Sequence, residues 1–398
     1  MIKFIVCSPK EDSYQSVGIN YHCDKEESFV LYKKEEEKGF NRVKVLGTLW
    51  STKGLYNASQ EDGFTIDRYV CKLDLCGLDE DTKYEFFVKC NDEESEIYRF
   101  KTSKKDRFDV SWSFNAYVDF QHRGNAFKEI IISKMMEMYP DNNLSLCSGD
   151  MIDVATYESS WDWFFNSKLF KSGLYFSTPG DHEYWGMEVN HHYPQLKRPD
   201  TYNALFNNPK NGLYKNSNYY LYYNNVLFIG LDMNDSDQSR GEFFDNEAKW
   251  LDDTLTRLEK SADYIIVIMH KAIYGSYYND SGVVRNIRPL FAPVIEKHKV
   301  DLVFSGHDHM YSRTYPLYMG KMSNEGTYYL DMGSSGDKRR LIDQDLYTDG
   351  LHECVLDIKT NLQTLASHIE VGKELMKVTC INYDGCILDS FEISKKVR

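Results

Sequence analysis

From residue 112 onward the chain repeats one unit: a strand-length apolar run, a polar loop and, in several places, a window of helix length. The runs are WSFNAYV (112–118), LSLC (144–147), LYFST (174–178), VLFIGL (226–231), YIIVIM (264–269), VDLVF (300–304) and YYL (328–330). They are rich in β-branched and aromatic residues and mostly continuous rather than alternating, the pattern of strands covered on both faces. Helices are predicted over 126–139, over 246–260 with Trp250, Leu251, Leu255 and Leu258 on one face, and over 284–298. In the last window Ile287, Leu290, Phe291, Val294 and Ile295 form an apolar stripe, while Pro289 and Pro293 predict a kink or a late start. The pattern is that of an α/β domain, and Asp384–Gly385 between two alternating runs predicts a closing hairpin.

The texture before residue 105 is different. Ser16–His22, Phe29–Lys33, Arg68–Leu75 and Tyr84–Cys90 are short and alternating, separated by Gly, Asp, Asn and charge clusters, as in the strands of a small antiparallel sandwich. The polar, basic stretch KTSKKDR (101–107) reads as the bridge, which divides the 398 residues into an all-β domain over 1–105 and an α/β domain over 106–398. A net charge of −14 disfavours nucleic acid and anionic membrane surfaces, although a local site can still hold a small anion. Phe4–Cys7 is too short for a signal-peptide core, and Ile265–Met269 is too short to span a bilayer. Nine scattered cysteines without a CxxC pair suit reduced thiols. The expectation is a soluble, cytoplasmic protein with no membrane partner and an open oligomeric state.

Open α/β sheets gather their ligands at the carboxyl ends of strands. There this chain places Asp119, then Asp150 and Asp153, Asp181 and His182, His270, and His307 and His309. One such residue more often caps a turn or packs, but recurrence after run upon run points to a metal centre. Mixed carboxylate and imidazole donors suit Mn, Fe, Zn or Co. Glycines before Asp150, Asp181 and His307 predict sharp turns at the centre.

The ordered set D-x-Q, G-D-x-x-D, G-D-H-E, H and G-H-x-H over 119–309 resembles the calcineurin-like metallophosphoesterases. HKAIYGS, GHDHMYSRTYP and TYNALFNNP (201–209) are similar to their purple acid phosphatase branch, and the stretch from Leu78 to Tyr84 resembles the tyrosine corner of a fibronectin type III-like domain. The resemblance implies two packed mixed sheets flanked by helices, with two metal ions, Fe, Mn or Zn, at the sheet edges. It puts Asp119 and His309 on one ion, Asp181, His270 and His307 on the other, and Asp150 between them, with Gln121 at a further ligand position. His182 would donate a proton, held by Asp153. Arg313 and Tyr311 would support the site, or else form a structural salt bridge and a packing ring. His122, Arg123, His191 and His192 would be rim contacts for a small phosphorylated substrate. The implied activity is hydrolysis of phosphoric esters, monoesters ahead of diesters; the alternatives are a phosphodiesterase or a non-catalytic metal- or phosphate-binding module. Three residues depart from the family pattern. Gln121 replaces a histidine, Asp153 replaces the iron-binding tyrosine so that the purple colour is lost, and Asp181 replaces an asparagine and adds a negative charge beside the second ion.

Overall fold

The computed structural model describes residues 1–50, 67–122, 124–186, 194–234, 242–278, 281–338, 340, 350–356 and 363–398. Period-two burial builds the first layer pair. In the strand Lys83–Cys90 every second residue from Tyr84 to Cys90 is buried, so one face looks into a core and the other outward. This strand pairs antiparallel with Glu27–Lys34 and Tyr98–Lys101. The facing sheet is ordered Ile2–Pro9, Ser16–Cys23, Arg68–Cys76, Thr48–Trp50. Tyr21, Val30, Phe86 and Val88 fill the β-sandwich between them. Tyr84 closes one corner, its hydroxyl accepting the Asp79 N–H at 2.9 Å, the upstream backbone contact of a tyrosine corner.

The continuous apolar runs form two larger sheets. One is ordered Leu174–Ser177, Leu144–Cys147, Trp112–Tyr117, Leu365–Val371, Leu375–Asn382, Ile387–Ser394, with its first three strands parallel and the rest antiparallel. The other runs Tyr219–Tyr223, Val226–Gly230, Tyr264–Lys271, Leu302–Gly306, Tyr328–Met332, Tyr311–Thr314, His352–Val355, with four parallel strands at its centre. The reason the runs do not alternate is visible in Tyr264–Lys271. Tyr264, Ile266 and Ile268 join the core between the sheets, whereas Ile265, Val267 and Met269 pack outward with helices Glu242–Leu258 and Gly282–Lys297. On the other sheet Phe114, Ala116 and Val118 face inward, and Tyr117 packs outward with helices Phe127–Met138 and Glu158–Phe165. Phe114 meets Phe228 edge-on across the layers, ring centroids 5.3 Å apart. The result is helices, sheet, sheet, helices. The hairpin also forms, with Gly385 at φ +86° between Leu375–Asn382 and Ile387–Ser394.

Two local expectations are corrected. Helix Gly282–Lys297 starts early and runs through both prolines. Pro289 and Pro293 are exposed and four residues apart, so the carbonyls that lose an N–H partner lie on the solvent side, where water serves them. The strand predicted over 300–304 is Leu302–Gly306 and ends directly before His307, while the strand predicted over 264–269 extends through His270 and Lys271. The small sandwich docks on the TYNALFNNP stretch. Lys72 Nζ donates to the carbonyls of Asn203 and Phe206, both at 2.5 Å, at the end of helix Asp200–Leu205, and His22 Nε2 donates to the Ala204 carbonyl at 3.0 Å. A cation on the free carbonyls of a helix C-terminus is favourable there.

Candidate metal centre

Strands of both large sheets end at one edge and deliver Asp119, Asp150, Asp181, His270, His307 and His309 to it. The turns are not made as the glycines suggested. Asp119, Asp150, His307 and His309 themselves adopt φ of 50°, 53°, 72° and 54°, a region that side-chain-bearing residues enter at a cost of ~1–3 kcal/mol each. Of the three glycines only Gly149 is left-handed, at φ +101°. Gly306 is needed for space instead, because a Cβ there would overlap the Val118 side chain and the Asp119 carboxylate.

The donor atoms fall into two sets, each within 4.8 Å: Asp119, Asp150 and His309, and Asp181, His270 and His307. The sets adjoin at Asp150, whose Oδ1 also lies 3.2 Å from His270 Nε2. Two further contacts have the same character, His309 Nε2 to Asp119 Oδ1 at 3.4 Å and His307 Nδ1 to Asp181 Oδ2 at 3.2 Å. Asp119 Oδ1 and His270 Nε2 are nevertheless buried without a hydrogen-bond partner. Donors about 2.1 Å from one ion and ~100° apart lie ~3.2 Å from each other, so converging but unbonded atoms fit a shared cation. Electrostatics agree. Against burial, Asp150, followed by Asp119 and Asp181, raises the His270 imidazole to about 10, and Asp150 is held well below the usual carboxylate range by His270 and His182 despite its burial. The centre draws positive charge. His270 is also oriented for ligation, since its Nδ1 donates to the Ser148 carbonyl at 2.9 Å and leaves Nε2 facing inward.

Gln121 sits among the donors, its amide nitrogen giving a 2.9 Å hydrogen bond to Asp150 Oδ2 while its buried oxygen has no partner. His182 stands beside Asp150, Nε2 to Oδ2 3.8 Å, with its ring against Trp185, centroids 3.8 Å apart. Its Nδ1 donates to the Asp153 main-chain carbonyl at 2.6 Å, so the backbone of residue 153 holds the ring where its carboxylate was expected to. Arg313 and Tyr311 are not brought to the centre. Arg313 binds Asp389 and Glu353 and lies over the Phe391 ring, and the buried Tyr311 hydroxyl donates to Asp389 at 2.8 Å. Theirs is the structural assignment. His122 is at the rim, its N–H donating to Asp337 Oδ1 at 2.9 Å and its Nδ1 3.1 Å from the same oxygen. Arg123, His191 and His192 lie outside the described residues.

Two residues that sequence reasoning missed shape the site. Glu183, the last letter of G-D-H-E, is buried and accepts the N–H groups of Asp150, Met151 and Gly180, tying the second and third motif loops together. Burial, then Asp150, pushes its carboxyl up to about 8. Lys271, next to His270, is 2% exposed and donates to Asp181 Oδ1, to Asn234 Oδ1 at 2.6 Å and to the Met233 carbonyl at 3.2 Å. Lys271 and His307 hold Asp181 well below the ordinary carboxylate range although burial opposes them. The extra charge that Asp181 brings is therefore offset inside the protein.

The calcineurin-like phosphoesterase family model matches residues 116–311. Purple acid phosphatase 21 of Arabidopsis thaliana is 27% identical over 205 residues, 50% of this chain and 45% of that protein. Probable purple acid phosphatase 20 of the same plant is 23% identical over 206 residues, 50% of this chain and 46% of that one. The chain thus spans less than half the length of these curated relatives. Among solved structures, purple acid phosphatase PPD1 from yellow lupin (Lupinus luteus) superposes with a TM-score of 0.78 at 15% identity, covering 99% of this chain and 74% of that one. PhoD superposes at 0.65 with 11% identity, covering 99% and 92%. These superpositions carry the fold.

Proposed function

We propose, from the match of the calcineurin-like phosphoesterase family model to residues 116–311, that this chain hydrolyses phosphate esters, monoesters ahead of diesters, with two metal ions held either side of Asp150. The observation that carries this reading is the pair of three-donor sets meeting at Asp150, with His182 beside them. Asp119, His309 and the Gln121 position would hold one ion, and Asp181, His270 and His307 the other; Fe, Mn and Zn all suit such donors. When bound, the ions supply Lewis-acid polarisation of the phosphoryl oxygens and an acidified water.

The protein supplies orientation and protons. His182 is fixed by Trp185 and by the Asp153 carbonyl, so Nε2 is the atom presented to the oxygen of the departing alcohol. Glu183 fixes the loop carrying Asp150 relative to the loop carrying Asp181. Lys271 makes the Asp181 position nearly neutral overall, which leaves the centre as electrophilic as an asparagine there would. A cytosolic setting is part of the same proposal, supported by nine cysteines that are all free thiols, as is a fibronectin type III-like sandwich over 1–105, supported by the Tyr84 corner. The test is a panel of phosphomonoesters, diesters and nucleotides, assayed with Fe, Mn, Zn, Co, Ni and Mg against a chelator control. Metal-dependent release of phosphate from monoesters, abolished by Asp150→Ala, is expected. Absence of turnover with both sites loaded would leave a binding module.

A further inference from the structure

Strand Val226–Gly230 brings no member of the two donor sets to the metal edge, yet the segment LDMN (231–234) that follows it is bonded to the third motif loop. Asn234 Nδ2 donates to the Pro179 carbonyl at 3.1 Å, and Asn234 Oδ1 and the Met233 carbonyl receive Lys271. Asp232 takes the Tyr184 hydroxyl on Oδ2 at 2.6 Å and the Asn234 N–H on Oδ1 at 3.2 Å. Its own N–H goes to Glu247 Oε1 at 2.6 Å, which also takes Asn218 Nδ2 at 3.0 Å, so helix Glu242–Leu258 anchors the segment. Tyr184, Asp232 and Glu247 are all buried. Burial raises Asp232 to about 6 against the hydrogen bond from Tyr184, while burial and then the Asp232 charge push Glu247 well above the ordinary carboxylate range. At neutral pH the negative charge of the pair rests on Asp232, and a hydroxyl on a carboxylate at this distance is a charge-assisted bond.

Tyr184 ends the short helical turn that His182 begins, with its N–H on the Asp181 carbonyl at 3.0 Å. Trp185, against which the His182 ring packs, follows on the same turn, and its N–H returns to the His182 carbonyl at 3.2 Å. A rotation of the turn therefore moves the imidazole and its aromatic support together. Only a small shift matters, since a misplacement of about 1 Å at a reacting group can cost ~10²-fold in rate. Resting on the phosphoesterase reading above, we infer that Tyr184 and Asp232 are positioning residues for proton donation by His182. Their bond sets the turn, and the turn sets where Nε2 meets the substrate as the P–O bond breaks and the Nε2 proton passes to the departing alcohol oxygen. Both act through His182, and neither belongs to the donor sets.

The test is Tyr184→Phe, which removes the hydroxyl and keeps the ring, assayed on two monoesters with metal content measured in parallel. Ethyl phosphate needs its leaving oxygen protonated, whereas para-nitrophenyl phosphate releases a stable anion. At unchanged metal content kcat falls about tenfold for ethyl phosphate and less than about twofold for para-nitrophenyl phosphate, with KM for each within about twofold of wild type. Asp232→Asn, which keeps an acceptor for Tyr184 without the charge, gives the same split in smaller measure. In a His182→Asn background Tyr184→Phe lowers kcat for ethyl phosphate no further. In the metal-free protein the Nδ1–H proton resonance of His182, identified by its loss in His182→Asn, shifts in Tyr184→Phe. An equal loss for both esters, a full further loss on top of His182→Asn, or an unmoved resonance overturns the inference and leaves the network a matter of stability alone. If the wild type hydrolyses both esters and only the split is missing, this inference alone falls; if it hydrolyses neither with both sites loaded, the phosphoesterase reading falls with it.

Discussion

Removing the Lys271 ammonium while keeping the volume of its side chain, as Lys271→Met does, strands Asp181 beside an acidic centre. Three acceptors lose their donor at once: Asp181 Oδ1, Asn234 Oδ1 and the Met233 carbonyl. Among the described residues Asp181 keeps only the His307 side-chain contact, at 3.2 Å. Lys271 is 2% exposed and Asp181 15%, so water replaces little of what is lost. Breaking one side of a buried pair typically costs ~3–5 kcal/mol; with His307 still present the expected loss is ~3 kcal/mol for the metal-free protein. Asp181→Asn removes the charge but keeps an acceptor for Lys271, and should cost ~2 kcal/mol. The double variant restores electrical balance and should be more stable than the two losses added together imply, by at least ~1.5 kcal/mol. Urea unfolding of the metal-free protein at pH 7 measures this, repeated at high salt because a buried pair is weakly screened. Metal titration gives a second arm: Asp181→Asn leaves Lys271 unbalanced and weakens binding at the Asp181–His270–His307 set, and adding Lys271→Met restores part of it. Losses that add to within ~0.5 kcal/mol would refute the compensation argument.

Other consequences are equally direct. His182→Asn should lower kcat by ~10²–10⁴-fold at unchanged metal content, whereas Asp153→Asn should stay within about threefold of wild type because the carbonyl that holds His182 remains; equal losses would show that the Asp153 carboxylate orients the ring after all. Arg313→Met should destabilise by ~3 kcal/mol, by stranding Asp389, while the folded fraction keeps its kcat, as read from unfolding curves alongside active-fraction kinetics. Burial lowers His22 to about 3, against ~6.5 in the unfolded chain. Its folded form is the neutral one, so its contribution is complete above pH 6.5 and is lost as pH falls toward 3, with ~2–3 kcal/mol gone by pH 4.5. His22→Gln keeps a donor for the Ala204 carbonyl without a titrating ring, and should lose ~2–3 kcal/mol less stability than wild type between pH 7 and 4.5; parallel losses would contradict the assignment.

What the sequence made legible was whatever lies within one strand and the loop that follows it. An apolar run with an Asp or His at its carboxyl end announces both a buried strand and a donor, and Asp119, Asp150, Asp181, His270, His307 and His309 do converge. Partnerships across long separations were not legible. Lys271 finds Asp181 90 residues away, and Asp337 finds His122 across 215; nothing local marks either. Proximity in sequence also misled. Tyr311 and Arg313 follow His309 closely, but strand Tyr311–Thr314 sends both to one face, and that face meets Asp389. For Asp153 the position was right and the atom was not, since sequence cannot tell a side-chain acceptor from the carbonyl of the same residue. The glycines show the same limit: the motif identifies them, but only packing separates Gly149, which turns, from Gly306, which makes room.

The central claim is that two ions sit side by side across Asp150, and anomalous diffraction from crystals loaded in turn with Fe, Mn and Zn tests it most directly. The account predicts two peaks ~3.5–4 Å apart, one against Asp119, Asp150 and His309 and one against Asp181, His270 and His307. A single peak with every metal, or peaks away from these two sets, would contradict it.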